Sequence, residues 1–335
     1  VLSLIWGSLV WLLAAGGPLA QAPAKPQPVE IRPGLEHYLQ GNAADVTPKT
    51  SYGVLLMGGG KDVDEAFQWL LAKAGGGDVV ILRASGTAAY NPYISKLGKV
   101  DSVETLIIKS RAAALEPLVS QRLRQAEAIF IAGGAQSNYI KFWQGTPVEA
   151  EVERAAKRGV PIGGTSAGLA VLGEFAFGAI NGSVDSQTAL GNPFHAEVKL
   201  ERGFLDLPGM QGLITDSHFV ERDRLGRLVT WLARLKQDGW VHEARGLAID
   251  RETALLVEAD GRVALRGRNT AYCLSVKTAP ELCQAGQPLT FKGINVYKLS
   301  GAASFDLRRW RGQGGVAYTL SAEAGTLHSS AGQLY

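Results

Sequence analysis

The feature that most limits what this chain can fold into is the stretch Gly163-Gly164-Thr165-Ser166-Ala167-Gly168. It follows the apolar run Val160-Pro161-Ile162 and precedes Leu169-Ala170-Val171-Leu172, so it reads as strand, tight turn and helix. A serine at such a turn is pushed out of the backbone at the carboxyl end of a parallel sheet, and flanking glycines allow the strained backbone and the close approach of a substrate. The helix that follows aims its N-terminal amides at the place where an oxyanion would develop. An idle serine in a glycine-rich turn has the same spelling, so the pattern needs a partner.

Of the five histidines, only His218 lies in a segment dense with functional residue types, Thr215-Asp216-Ser217-His218-Phe219-Val220-Glu221-Arg222-Asp223-Arg224-Leu225-Gly226-Arg227-Leu228. It follows Gly212-Leu213-Ile214, which looks like another buried strand end. A serine needs a neighbouring base to become nucleophilic at neutral pH, and imidazole is the usual one. Ser166 as nucleophile and His218 as base therefore form the leading pair. The oxyanion hole is expected from the amides of Ala167 and Gly134, because a glycine pair at a strand end, Gly133-Gly134, lets an amide face the ligand.

Strands and helices alternate around these residues. Tyr52 to Met57, Val79 to Leu82, Glu104 to Ile108 and Ala128 to Ala132 read as buried strands; Val63, Ala66, Phe67, Leu70 and Leu71 fall at helical spacing, and helices are expected at Leu115 to Gln125 and Val148 to Arg158. Asp62 and Asp64 favour the start of the first helix. Such alternation implies an α/β protein, a parallel sheet with helices on both faces and its active site beyond the carboxyl ends of the strands. Gly58-Gly59-Gly60-Lys61 is not a P-loop, since it lacks the spacing and the Ser/Thr after the lysine. Residues 246–300 change to short strands joined by turns such as Ala259-Asp260-Gly261, which predicts a small antiparallel extension, and residues 300–335 read as peripheral.

Composition bounds the rest. The 335 residues suffice for one generous domain, or one with an appendage, and a net charge of +3 gives no case for nucleic acid as a partner. Val1 to Ala15 is an apolar run, and Ala20-Gln21-Ala22 fits a small-x-small cleavage site, although the charged start of a leader is missing. The run is short for a membrane span, so residues 1–22 read as a cleaved signal peptide, with a membrane anchor as the alternative, and the protein as periplasmic or extracellular. Residues 23–50, proline-containing and polar, read as leader and linker. In that compartment the two cysteines, Cys273 and Cys283, are expected to form a disulfide. No paired histidines stand at ligand spacing, so neither a metal nor a cofactor is expected.

Gly164-Thr165-Ser166-Ala167-Gly168, Asp216-Ser217-His218-Phe219, Arg222-Asp223-Arg224-Leu225-Gly226-Arg227-Leu228, Leu56-Met57-Gly58-Gly59-Gly60 and Phe130-Ile131-Ala132-Gly133-Gly134-Ala135-Gln136 together resemble the cyanophycinase-like serine peptidases. The resemblance covers roughly residues 50–275. It implies a flavodoxin-like parallel sheet of the kind shared with dipeptidase E and the class I glutamine amidotransferases. It divides the chain into a catalytic domain at 51–275 and a β-rich extension at 276–335. It further implies a carboxylate fifteen to twenty positions after the serine to orient the imidazole, which selects Asp185 over Glu174. Gln136 matches a substrate-binding glutamine. Arg222 and Arg227, with Arg224 less clearly, match a clamp for a substrate carboxylate, while a solvated face is the plainer reading of the three. Asp216 would pair with one of them or with a basic substrate group. Two positions depart from the pattern. Ala135 stands where Asp or Asn is usual, and Ser217 replaces a glutamine. Thr87 to Asn91 also lacks an expected acid.

The resulting expectation is a secreted serine peptidase that cleaves a small peptide or peptide polymer, the β-aspartyl-arginine amide first among candidates, with a homodimer as a candidate assembly and no stable membrane span. Two alternatives stand beside it. An α/β-hydrolase esterase would draw its histidine from far downstream, His242 or His328. A binding protein would keep the fold and lose turnover, as Ala135 and Ser217 suggest. Cysteine-based amidotransfer is disfavoured, because the elbow residue is serine.

Overall fold

In the computed structural model, residues 27–335 are described. The leader expected at residues 1–22 lies outside them. Among the described residues no helix is long and apolar enough to cross a membrane.

Five parallel strands form the heart of the first sheet, in the spatial order Ser102–Ile108, Asp78–Arg83, Ala128–Ile131, Ile162–Thr165, Gly53–Met57. Every residue of Gly53–Met57 and of Ala128–Ile131 is buried, as expected of strands covered on both faces. The side-chain period of two then sorts them. Val54, Leu56, Ile129 and Ile131 enter one core, while Leu55, Met57 and Phe130 enter another beneath the helix Asp64–Lys73. That helix begins with Asp64 and Glu65 and ends with Lys73, as its dipole prefers.

The sheet extends at both ends. Residues 23–50, expected to be leader and linker, contribute the strands Pro28–Arg32 and Leu35–Gly41, the second antiparallel to Ser102–Ile108. The alternation Leu35-Glu36-His37 puts Leu35 and His37 inward, where His37 Nε2 meets the buried Glu104 carboxylate at 2.7 Å. The prolines had disguised a paired edge. At the other end Thr253–Glu258 pairs antiparallel to Gly53–Met57, followed by Arg262–Gly267, Ser304–Asp306 and Arg311–Gln313.

Of the strands expected to make a small antiparallel extension, Thr253–Glu258 and Arg262–Gly267 do extend the first sheet, whereas Ala244–Ile249 belongs to a second sheet of eight strands. Phe175–Phe177, Leu213–Ser217 and Ala244–Ile249 run parallel within it, and Ala271–Val276, Phe291–Leu299, Val316–Glu323 and Thr326–Ser329 follow antiparallel. Leu247 and Ile249 face the first sheet, and Ala248 faces the helix Leu225–Gln237 on the far side. The molecule is thus two sheets with a shared core: helices cover both faces of the first sheet, Pro117–Gln125 and Pro147–Lys157 on the side of the shared core and Asp64–Lys73 on the other, and Leu225–Gln237 covers the far face of the second. Residues 276–335 add strands to both sheets.

The expected disulfide is absent: Cys273 and Cys283 are both free and buried. Cys273 belongs to the core between the sheets and Cys283 to the core beyond the second sheet, so the sheet itself separates the thiols. Burial raises the pKa of both.

Candidate active site

The strand Ile162–Thr165 delivers Ser166 into a left-handed conformation, φ 53°, while its amide donates to the Met57 carbonyl at 3.0 Å. A non-glycine residue at positive φ is uncommon and here projects the hydroxyl from the sheet end. Gly168 is required by contact, since a Cβ there would stand 1.9 Å from the Ile131 carbonyl oxygen. The expected helix after the elbow is only a 3-10 turn, Leu169–Val171. It is too short for a substantial dipole, so anion stabilisation falls to individual amides. Gly133 lies against the serine, and a Cβ on it would be 3.5 Å from Ser166 Cβ. The Ala167 and Gly134 amides donate to no backbone carbonyl among the described residues, which leaves them for a ligand.

His218 arrives from the second sheet, one residue past the strand Leu213–Ser217. Its Nε2 is 2.9 Å from Ser166 Oγ, and it too holds a positive φ, 48°. Three contacts from elsewhere set its position. The His218 amide donates to Gly58 O at 2.9 Å. Gly59 packs so closely that a Cβ would sit 2.3 Å from Nε2. The Asp250 carboxylate accepts the Val220 amide at 3.1 Å, which anchors the loop beyond. The Gly58-Gly59-Gly60 turn thus serves as the floor under the imidazole.

The carboxylate on His218 is Glu221, with Oε2 3.0 Å from Nδ1. Asp185 is elsewhere. It caps the helix Ser186–Gly191, accepting the Thr188 amide at 2.7 Å. The reason is local chemistry: an Asp preceding Ser186-Gln187-Thr188 is an ideal N-cap, and this demand occupies the carboxylate. Glu174 accepts the Gly212 amide instead. Glu221 escaped the sequence reading because its neighbours Arg222 and Asp223 made it look like part of a solvated charge run. The signal available was the His-x-x-Glu spacing within one turn.

Burial lowers the His218 pKa from its ordinary value. The Glu221 hydrogen bond raises it and Arg222 and Arg224 lower it further, so the ring is neutral at pH 7. Glu221 is held below the usual carboxylate range by the His218 hydrogen bond, helped by Arg251, Oε1 lying 3.5 Å from Arg251 Nη1. With Nδ1–H donating to Glu221, Nε2 is free to accept the Ser166 hydroxyl proton. The exposed His242 and His328 of the esterase alternative are not the partners of the serine.

The arginines divide. Arg227, expected to clamp substrate, is buried and grips Asp216, with Nε to Oδ2 at 2.8 Å. Its guanidinium stacks over Phe177 and Trp231, and its Nη1 reaches Ser183 Oγ and the Val184 carbonyl. No face remains for a ligand. Arg224 donates to the Ser217 carbonyl at 2.6 Å, and burial pushes its pKa down to about 10. Both arginines brace the Asp216-Ser217 strand end, and the pair with Arg227 satisfies Asp216 internally. Ser217 is buried, its amide held by Asp216 Oδ1. Arg222 alone is exposed and has no ion pair among the described residues; it precedes the helix that begins at Leu225. Gln136, half-buried at the start of the helix Gln136–Trp143, donates to the Phe177 carbonyl at 2.9 Å, and Ala135 before it offers no side-chain cap. The far end of the chain, read as peripheral, contributes Tyr335. Its hydroxyl accepts the Leu225 amide at 3.0 Å and donates to Asp223 Oδ1 at 2.7 Å, closing the loop that carries His218.

A strained serine at a parallel sheet end, with a neutral imidazole and then a carboxylate behind it, defines a serine hydrolase of α/β architecture. The model of peptidase family S51 matches residues 54–192, from the first parallel strand past the elbow. A cyanophycinase of Synechococcus elongatus is 28% identical over 272 residues, covering 76% of this chain and 79% of the relative. A cyanophycinase of Nostoc sp. strain PCC 7120 is 27% identical over 279 residues, covering 78% and 88%. A crystal structure of a peptidase from an acI-B1 Actinobacterium superposes with a TM-score of 0.51 at 14% identity, covering 77% of this chain and 98% of that one, a likeness of fold. Residues 54–192 thus match peptidase family S51, and over most of its length the chain is similar to cyanophycinases.

Proposed function

We propose that this chain is a secreted peptidase that cleaves an amide bond by way of an acyl-enzyme on Ser166. The observation that carries the reading is the continuous relay of Ser166 Oγ, His218 Nε2, His218 Nδ1 and Glu221 Oε2. As Oγ attacks the carbonyl carbon, Nε2 takes its proton and the Ala167 and Gly134 amides receive the oxyanion. Nε2 then gives the proton to the departing amine, which leaves Ser166 acylated. Water enters, gives a proton to Nε2 and attacks the ester, and collapse returns the proton to Oγ and releases the acid.

The substrate we favour is a small peptide or peptide polymer with a carboxylate near the scissile bond. Arg222, exposed beside His218 and Glu221, is the arginine free to meet it. The names of the relatives make a β-aspartyl-arginine polymer the first candidate. Wild type and Arg222→Ala should be compared on that polymer, on β-aspartyl and α-aspartyl dipeptides and on neutral esters. Cleavage of a carboxylate-bearing amide that weakens in Arg222→Ala, mainly through KM, is expected. Preference for neutral esters, indifferent to Arg222, would count for an esterase. The outcome in which a serine-directed phosphonate fails to label the protein would leave the binding-protein reading.

A further inference from the structure

Between the lower edges of the two sheets lies a cleft of about 480 Å³ that the peptidase chemistry does not use. Glu243, Arg245, Lys277, Arg309 and Arg311 line it, with Tyr297, Phe305 and Trp310 as its aromatic surfaces. It sits at the opposite end of the second sheet from His218. Arg245 pairs in register with Leu213, four residues before Ser217, which places it about 13 Å down the strand.

Four cations and one carboxylate therefore share one opening. Glu243 is already taken by Arg245, Oε2 to Nη2 at 2.7 Å, and the Arg245 guanidinium stacks over Trp310 while its buried Nε has no hydrogen-bond partner. Arg309 has only a loose pairing with Asp306 at 3.8 Å. Lys277 and Arg311 have no ion pair among the described residues. Like charges gathered in excess of their counter-charges repel one another, and an incoming anion relieves this. Trp310, held at φ 51°, an uncommon conformation for a bulky residue, lines the cleft with its ring edge-to-face against Phe305. Beside it Arg311–Gln313 is the last strand of the first sheet, so one of its backbone edges is unpaired.

We infer that this cleft is a second binding site, separate from the acyl site, for an extended acidic peptide segment. Its carboxylates meet Lys277, Arg309 and Arg311, an apolar or aromatic side chain lies on Trp310 and Tyr297, and its backbone runs along Arg311–Gln313 as an added strand. The inference does not depend on turnover at Ser166, so it is tested in the full-length Ser166→Ala protein. The probe is a short fluorescein-labelled glutamate-rich peptide containing one phenylalanine, followed by anisotropy, with a glutamine-for-glutamate peptide as control. Binding of the acidic peptide alone is expected. It should weaken at least about tenfold in Lys277→Glu/Arg311→Glu and be unchanged in Arg222→Ala. A second double variant, Lys96→Glu/Lys99→Glu, makes the same charge change at another exposed surface and should have little effect. Equal weakening by the two double variants, dependence on Arg222 rather than on the cleft, or no binding at all would each overturn the proposal.

Discussion

The two halves of the active site are built by different means. The elbow half, on the first sheet, is a backbone construction: a strand end, a residue at positive φ, glycines where a Cβ would collide, and amides left free. The histidine half, on the second sheet, is a side-chain construction. His218 is placed by Glu221, by the Asp216–Arg227 pair beneath its strand, by Asp250 under its loop and by Tyr335 closing it. A backbone device is compact in sequence and tolerates little change. A side-chain device draws on residues more than a hundred positions apart and fails by degrees.

The largest expected effect separates chemistry from scaffold on the elbow side. Ser166→Ala should lower turnover on the order of 10⁴-fold or more, because the proposed mechanism has no other nucleophile. The unfolding midpoint should hold, since alanine meets the same positive φ as serine. Stopped assays and thermal unfolding of one preparation check both. A variant that loses stability along with activity would erase the contrast between a backbone elbow and a side-chain loop.

On the histidine side, stability should carry the effect. Asp216→Asn leaves the buried Arg227 guanidinium without its counter-charge and should destabilise the fold by about 3–5 kcal/mol, measured by denaturant unfolding. A loss within a few tenths of that for an exposed pair would show that Asp216 does not brace the strand.

The smallest effect belongs to the most distant brace. Tyr335→Phe keeps the ring against Phe219 and Tyr272 and removes only the hydroxyl. It should cost about 1 kcal/mol of stability and lower turnover modestly. An unchanged turnover would restrict Tyr335 to packing.

The same division explains what could be read in advance. The parallel strands, the elbow, Ser166 and His218 were legible because each is written in contiguous residues: apolar runs, glycine spacing, a histidine at a strand end. Asp185 was misplaced because a local demand outcompeted the site, and Arg227 and the Cys273–Cys283 disulfide because each depended on a tertiary choice. Asp185 was claimed by a helix N-terminus, Arg227 by Asp216 eleven residues away, and the cysteines by opposite faces of one sheet. The size of the second sheet was hidden for a related reason, since its strands lie between residues 175 and 329 and pair mostly through connections that no local pattern reveals.

The central claim is that Glu221, across the His218 ring from Ser166, completes the relay. It is tested most directly by the pH dependence of kcat/KM in Glu221→Gln and Asp185→Asn beside the wild type. His218 must be neutral to act as base, and burial lowers its pKa, so activity in the wild type should rise along an acid limb centred below the usual imidazole value and persist to higher pH. Glu221 raises that pKa, so Glu221→Gln should move the limb to still lower pH and cut the plateau on the order of 10²-fold or more. Asp185→Asn should leave limb and plateau in place. A plateau that collapses in Asp185→Asn while Glu221→Gln keeps both its rate and its acid limb would contradict the account.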